Sequence, residues 1–505
     1  MRGIFWCAPA IAALLFPVLA AAQDVTLTSR EGNLSISGSL QGFDGEFYRV
    51  DSAYGLLTVD ASGVVCDGPA CPDLTAPKIN LRVIGLPGMG EAMLPVLFES
   101  FARQRGLEYA AEPGEAGYRA RLADGESGKT LAQISFEPAP ADPAQQALVA
   151  GRAEFMLSAT PEPGFAQQVA ALDAMVAIVA PDNPLPRIST RDLARVLAGE
   201  VLNWQDLGGP DMPLVLHGLG PGDPLQAGLA ARLGREIAVM QEQADVTALA
   251  RAVARDPWAI AVTIKTAAGA ARILPLTDSC GFPLLPTPLA VKAEDYPLSL
   301  PLHLIMPRRR LPLLAREFVE FLRTPAAQAA IAVTGLVDRQ TERQPMTSDG
   351  LRLINAIRGA GAETTLADLQ ALVTAMEGAD RLSLTFRFQD GSSTLDAHSQ
   401  TNLADLARLL DAGVLRGRDI VLAGFSDGSG EAAANTRLSQ SRAQGVLDAL
   451  LRLLPDLAEA DRPQVTGFGE ALPMACDETA AGRRLNRRVE VWLRPVFTDS
   501  PAREN

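Results

Sequence analysis

Between residues 24 and 75 apolar and polar positions alternate in short runs: Val25/Leu27, Leu34/Ile36, Phe47/Tyr48/Val50, Leu57/Val59 and Val64/Val65. Glycine and aspartate separate these runs, a pattern that predicts a small β meander. From Lys78 the texture changes. Leu81-Arg82-Val83-Ile84-Gly85 is a short apolar strand, followed by a Gly/Pro loop and by Met93, Leu97 and Phe101 at helical spacing. Strands expected at Phe155–Leu157, Ala177–Val179 and Ile260–Val262 alternate with helices expected over 191–198 and 313–323. Such alternation predicts open α/β sheets with ligands at the carboxyl ends of the strands. Residues 338–362 are polar and read as a linker with a short helix. Thr365 then caps a helix, with Asp368 three residues on and Leu366, Leu369, Leu372, Val373 and Met376 on its apolar face. A last α+β unit runs from Arg381 to Arg494, and Thr498 to Asn505 is expected to fray.

The chain of 505 residues is too long for one core. The spans predicted are a signal peptide (1–22), a small β module (23–77), a two-lobed α/β domain (78–338), a linker and helix (339–381), an α+β domain (382–495) and a tail (496–505). The signal rests on Arg2, the apolar run Ile4 to Leu19 broken by Pro9 and Pro17, and Ala20-Ala21-Ala22 before Gln23. That run is short and interrupted for a span of about 20 apolar residues, and no later stretch is long enough, so a soluble, exported product is expected. With 48% hydrophobic and 21% charged residues the chain is globular, and its net charge of −14 argues against nucleic-acid binding. Three isolated histidines argue against a histidine-rich metal site, so no metal or cofactor is expected. Export permits disulfides. Cys66 and Cys71 flank the turn Asp-Gly-Pro-Ala and are expected to pair locally, whereas Cys280 and Cys476 read as either paired or free.

The most informative stretch is Val421-Leu-Ala-Gly-Phe-Ser-Asp427-Gly-Ser-Gly430, then Asn435-Thr-Arg-Leu438-Ser439-Gln-Ser-Arg442-Ala443. Val421, Ala423 and Phe425 alternate as a buried strand that leaves Asp427 at its end. Asn435, Leu438, Ser439, Arg442 and Val446 fall on one face of the following helix. An acid and a guanidinium facing one another across a groove suit a zwitterion, the carboxylate taking its ammonium and the guanidinium its carboxylate. The same spacing also fits a structural Asp–Arg ion pair with Asn435 as a helix cap.

With Gly467-x-Gly469-Glu470, Asn486-Arg487-Arg488-Val489-Glu490, Phe386-Arg-Phe388 and Leu395-Asp396, this stretch resembles the OmpA-like peptidoglycan-binding domain over roughly 383–495. The resemblance implies binding, without cleavage, of the meso-diaminopimelate of peptidoglycan stems. Asp427 would take its ammonium and Arg442 its carboxylate, with Ser426, Asn435, Leu438 and Arg488 around them. Phe425 stands where the family has His, and Asp477 where Asn is common. Arg483, Arg484, Arg487 and Arg488, interleaved with apolar residues, are expected to be solvated arginines at a strand edge.

Residues 80–338 resemble the periplasmic phosphate-binding proteins of ABC importers, a type II two-lobed binding fold. The resemblance rests on Gly85-Leu-Pro-Gly88-Met-Gly90, Gly151-Arg-Ala-Glu154-Phe-Met-Leu-Ser158, Val201-Leu-Asn203-Trp204-Gln-Asp-Leu-Gly208, Asp256-Pro-Trp258-Ala-Ile260 and Phe318-Val-Glu-Phe321-Leu322. It implies a solute site around Gly88, Met89, Gly90, Ser158, Gly222 and Asp223. The family's Arg and its Ser-Gly-Thr turn are replaced by His217 and Pro221-Gly222-Asp223. Pro221 lacks an amide donor, and Asp223 or Glu91 would repel an anion.

The reading that follows is a non-catalytic cell-envelope protein of the periplasm, associated with the cell wall or outer membrane. Its partners would be peptidoglycan at the C-terminal domain and a small solute or protein at the central one. A phosphate receptor of an ABC importer and a peptidoglycan-acting enzyme are the alternatives. No Ser/His/Asp, Cys/His or His-Glu zinc arrangement supports the enzyme.

Overall fold

The computed structural model describes residues 24–495, apart from 30–33, 44–45, 73–78, 114–116, 361–362 and 390–391. The expected signal segment and tail lie outside the described residues. At the amino-terminal end five strands form a sheet in which Val25–Ser29 lies between Ser35–Phe43 and Val64–Asp67. Val25, Leu27, Tyr48 and Val50 point to one side and make a small core. The Cys66–Cys71 disulfide closes this module.

The two central lobes share one sheet, joined by the antiparallel strands Ala166–Val179 and Ser299–Met306. Only the end of the first, Ala177–Val179, is evident from its sequence. From Val169 onward nearly every position is buried, so the strand reads as a continuous apolar run without alternation. In the first lobe Ile79–Gly85 pairs in parallel with Phe155–Ser158 and Thr130–Pro138. In the second, Val215–Leu219 pairs in parallel with Ala259–Ile264 and Gln241–Gln243.

The C-terminal sheet runs in the order Arg343–Pro345, Asp380–Phe386, Arg488–Pro495, Arg418–Phe425, Gln464–Gly467. Alternation sorts its side chains between two cores. Leu422, Val489, Val491 and Leu493 meet the helices Ala397–Asp411 and Ala432–Leu453, while Val421, Ala423, Phe425 and Trp492 pack with Ala356, Leu372 and Met376. Ala356 and Leu372 belong to the helices Gly350–Gly359 and Leu366–Ala375 and Met376 ends the second, which is capped by Thr365 and Asp368 as its sequence predicts. The stretch expected as a linker is therefore part of the domain. It contributes an edge strand and covers the sheet's second face, because that face is as apolar as the first.

The central and C-terminal units meet through buried charge. Arg381 reaches Asp295 at 2.7 Å and Glu490 at 3.5 Å. The fully buried Glu490 also receives Arg352 at 2.5 Å, Arg488 at 2.7 Å and the Trp492 indole at 2.9 Å. Lys292 joins Asp338 and Glu342, Arg339 joins Asp405, and a Cys280–Cys476 disulfide crosses the same junction.

Candidate functional site

Close backbone approach builds the C-terminal site. A Cβ on Gly424 would lie 2.0 Å from the Ser439 carbonyl oxygen, and one on Gly467 would lie 2.5 Å from the Gln440 nitrogen. Glycine at both strand ends therefore lets the Ala432–Leu453 helix lie directly on the sheet. Ser439 anchors the crossing: its hydroxyl donates to the Thr436 carbonyl at 2.8 Å and accepts from the Gly469 N–H at 3.0 Å.

Asp427 emerges beside this crossing, half-buried. Its Oδ2 accepts from Arg487 Nη1 at 2.9 Å, and its Oδ1 from the Ser429 N–H at 3.1 Å. Burial works against ionisation here, but the hydrogen bonds from Arg487 and Ser429 outweigh it and hold the carboxyl below its ordinary range. The guanidinium in direct contact with Asp427 is thus Arg487, not Arg442 as the helical spacing suggests. Arg442 lies with its guanidinium carbon 5.9 Å from the Phe388 ring centre. Burial, and the charge of Arg487, draw its pKa down.

Arg387, Arg442, Arg484 and Arg487 line a cavity of 560 Å3 together with Phe388, Leu438 and a seryl rim. Buried polar atoms with no hydrogen-bond partner among the described residues cluster on its supporting elements: Arg442 Nη1, Asn435 Nδ2 and Ser426 Oγ. Such atoms are costly to leave unsatisfied. Leu438 is 46% exposed and can cover a ligand. Arg488 corrects the sequence expectation: it is fully buried, donating to Glu490, Asn486 and Leu472 and stacked 4.3 Å over Phe425. It supports the floor and cannot reach a ligand. Arg483 and Arg484 are likewise not on a strand edge, since Ala480–Asn486 is helical.

On the other side of Gly428 lies a second cavity, of 540 Å3, with Glu363, Glu470 and Asp477 in its wall. Asp477 accepts from the Gly428 N–H at 2.6 Å and from Asn486 Nδ2 at 2.7 Å, tying this wall to the Asp427 turn. Burial pushes the Glu470 carboxyl up, helped by the charges of Asp477, Glu363 and Asp427. The Asp427–Gly428 turn is therefore tied to a guanidinium-rich space through Arg487 and to a carboxylate-rich one through Asp477. Sequence spacing did not expose this division, because its groups come from four separate segments.

In the central domain the predicted solute residues are engaged by the chain itself. The Gly88 N–H donates to Glu91 Oε2 at 2.5 Å, Met89 N–H to the Pro87 carbonyl at 2.7 Å, and Gly90 N–H to the Leu86 carbonyl at 3.2 Å. These amides are not available to an anion, which corrects that expectation. Met89 packs in the core, and a Cβ on Gly90 would lie 2.2 Å from the Phe136 ring, which explains the glycine. Ser158 Oγ accepts from the Thr160 N–H at 3.1 Å. Asp223 caps the Pro224–Leu233 helix, accepting from Leu225 N–H at 2.8 Å and Gln226 N–H at 3.3 Å, while Gly222 is exposed beside it. Burial pushes the Asp223 carboxyl up. Carboxylates of this chain thus occupy both helix starts where an oxyanion would sit.

Comparison with known proteins places these parts in classes. Residues 387–487 match the OmpA family, and residues 85–325 match a PBP superfamily domain. The chain therefore carries an OmpA-family domain at its C-terminal end and a PBP-superfamily domain in its middle. It is 45% identical over 62 residues to the Escherichia coli protein named "Probable lipoprotein YiaD", covering 12% of this chain and 27% of that protein. It is 40% identical over 50 residues to the phosphate-binding protein PstS of Borreliella burgdorferi, covering 10% of this chain and 18% of that one. The chain thus spans about a quarter or less of the length of these curated relatives. Among solved structures, an ABC-type phosphate transport receptor from Vibrio cholerae aligns at 14% identity and a TM-score of 0.41, covering 51% of this chain and 99% of that one. PstS from Borrelia burgdorferi aligns at 14% identity and a TM-score of 0.37, over 51% and 98%. Both domains are of binding classes and not catalytic families, and no described helix is long and apolar enough to cross a membrane.

Proposed function

We propose that the C-terminal domain tethers the protein to peptidoglycan by gripping the diaminopimelate end of a stem peptide, without cleaving it. Asp427, kept ionised by Arg487, takes the ammonium. Arg442 takes the carboxylate within the guanidinium-rich cavity, Asn435 and Ser426 supply further polar contacts, and Leu438 covers the aliphatic stem. The observation that carries this reading is the lack of a hydrogen-bond partner among the described residues for Arg442 Nη1, on a guanidinium that lines the cavity, and for Asn435 Nδ2 and Ser426 Oγ, which lie outside its lining. Asp427 pairs with Arg487 and leaves Arg442 without it. The match to the OmpA family supports the same partner. The test is calorimetric titration with a soluble stem peptide ending in meso-diaminopimelate, beside the same peptide acetylated on the side-chain ammonium. Equal affinity for both would remove the assigned role of Asp427.

The central domain, on this reading, binds a small solute or a protein partner in the periplasm, and phosphate is disfavoured. Glu91 and Asp223 place carboxylates at the two helix starts and take the Gly88, Leu225 and Gln226 N–H groups, so an incoming phosphate would meet negative charge. The working location is the periplasm, against the cell wall.

A further inference from the structure

We propose that the central domain helps to set the geometry of the diaminopimelate site, with Asp278 as a positioning residue and the Cys280–Cys476 disulfide as its clamp. This inference rests on the tether reading above and adds to it a dependence on the neighbouring domain. Asp278, buried just after the short strand Leu276–Thr277 of the central domain, gathers three backbone donors. Its Oδ1 accepts from the Cys280 N–H at 2.9 Å and from the Phe282 N–H at 2.8 Å, which shapes its own turn. Its Oδ2 accepts from the Cys476 N–H at 2.8 Å, across the domain junction and 198 residues away in the chain. One carboxyl group therefore holds the backbones of both cysteines, and their covalent bond is a second hold on the same segment.

That segment, Met474 to Asp477, leads directly to the turn that carries Asp427. Asn486 Oδ1 accepts from the Met474 and Ala475 N–H groups at 2.7 and 3.1 Å. Its Nδ2 donates to the Ala475 carbonyl and to Asp477 Oδ1, both at 2.7 Å. Arg483 donates to the Asp477 carbonyl at 2.7 Å. A Cβ on Gly482 would lie 1.9 Å from the Cys476 carbonyl oxygen, so the Ala480–Asn486 helix packs directly against the segment. Two arms run from here to the site. Asp477 Oδ2 accepts from the Gly428 N–H at 2.6 Å, and Arg487, next after Asn486, donates to Asp427 Oδ2 at 2.9 Å. The Asp427–Gly428 turn is thus held on two sides by groups whose own positions depend on the segment that Asp278 anchors. Binding groups need to be held to within about 0.5 Å of their productive geometry. The anchor therefore bears on how well Asp427 meets an ammonium, beyond any part it has in joining the domains.

The experiment compares the full chain with Asp278→Asn and with the double variant Cys280→Ser/Cys476→Ser, which leaves the Cys66–Cys71 bond in place. With Asn at 278 one of the two anchored sides loses its acceptor. The probes are a soluble stem peptide ending in meso-diaminopimelate and the same peptide acetylated on its side-chain ammonium, titrated calorimetrically. Wild type should prefer the free ammonium, and that preference should fall about fivefold in each variant, the scale of a weakened hydrogen bond. In the ligand-free protein the amide signal of Gly428 in a nitrogen–hydrogen correlation spectrum should shift in both, a readout that a purely structural anchor would not move. Near-ultraviolet circular dichroism identifies the folded variants, and Asp278→Asn alone, with its disulfide intact, is enough to decide. A preference kept in full by the folded variants, with the Gly428 amide unmoved, would overturn the positioning role and leave the tether standing. A wild type with no preference for the free ammonium would instead overturn the tether reading, and this role with it.

Discussion

Asp427 Oδ2 accepts a hydrogen bond from Arg487 Nη1 at 2.9 Å, so the carboxylate at the strand end is fixed by a guanidinium that follows the Ala480–Asn486 helix. Arg442, on the neighbouring long helix, has a nitrogen, Nη1, with no hydrogen-bond partner among the described residues.

The titration of Asp427 follows from this contact. With its pKa depressed, the carboxyl stays ionised until pH falls through the folded value, below the ordinary 3.8. NMR titration of its carboxyl carbon should place the midpoint below that value in wild type. In Arg487→Ala burial acts with much less opposition, and the midpoint should move upward.

Geometry at Arg442 separates a fork from a point charge. Arg442→Lys keeps the charge but cannot make two parallel bonds to a carboxylate. Stem-peptide affinity is expected to fall about tenfold in Arg442→Lys and further in Arg442→Ala, measured by titration calorimetry.

Glu490 binds the junction together. Arg352, Arg381 and Arg488 converge on its buried carboxylate, so Glu490→Ala strands several buried guanidiniums at once. Urea denaturation should show a loss of about 3–5 kcal/mol, the scale for breaking a buried pair on one side only.

Two buried groups in the shared central sheet oppose one another with pH. Burial, with the nearby charge of His398, lowers His303 to about 4 from its ordinary 6.5. Burial raises Asp173 to about 6 from 3.8, against hydrogen bonds from Thr266 Oγ1 and the Ala174 N–H. Between these values the unfolded state binds the extra proton at His303, which costs stability as pH falls. The folded state binds it at Asp173, which adds stability as pH falls. The contributions of these two groups therefore nearly cancel from pH 6 to 4. Asp173→Asn should leave the His303 contribution unmatched, steepening the acid loss by up to about 1.4 kcal/mol per pH unit. Thermal melts across that window read the slope.

Phosphate should not stabilise the protein. Ligand linkage predicts a rising melting temperature for any anion bound well below its working concentration. Millimolar phosphate is expected to leave it unchanged, and a saturable upward shift would contradict the assignment of Glu91 and Asp223.

Much of the fold was legible because period-two runs such as Val421/Ala423/Phe425 and the capping pair Thr365/Asp368 act locally. The long strand Ala166–Val179 was not, since burial on both faces erases alternation. Nor was the role of the stretch read as a linker: its helices were expected, but their covering of the second sheet face depends on contacts from strands distant in sequence. At the site, Asp427 and Arg442 could be picked out from strand end and helix face. Arg487 and Arg488 could not be told apart, because adjacent residues at a strand start point opposite ways: one reaches Asp427 and the other is sealed beneath Phe425. Glu91 and Asp223 were read as repelling an anion, but only the structure shows them taking the amides themselves.

The most direct measurement is co-sedimentation of the chain with purified sacculi, wild type beside Asp427→Ala and Arg442→Ala, with folding of each checked by circular dichroism. Wild type should pellet with the sacculi while both folded variants stay about tenfold less retained. Retention of both variants at the wild-type level would contradict the account.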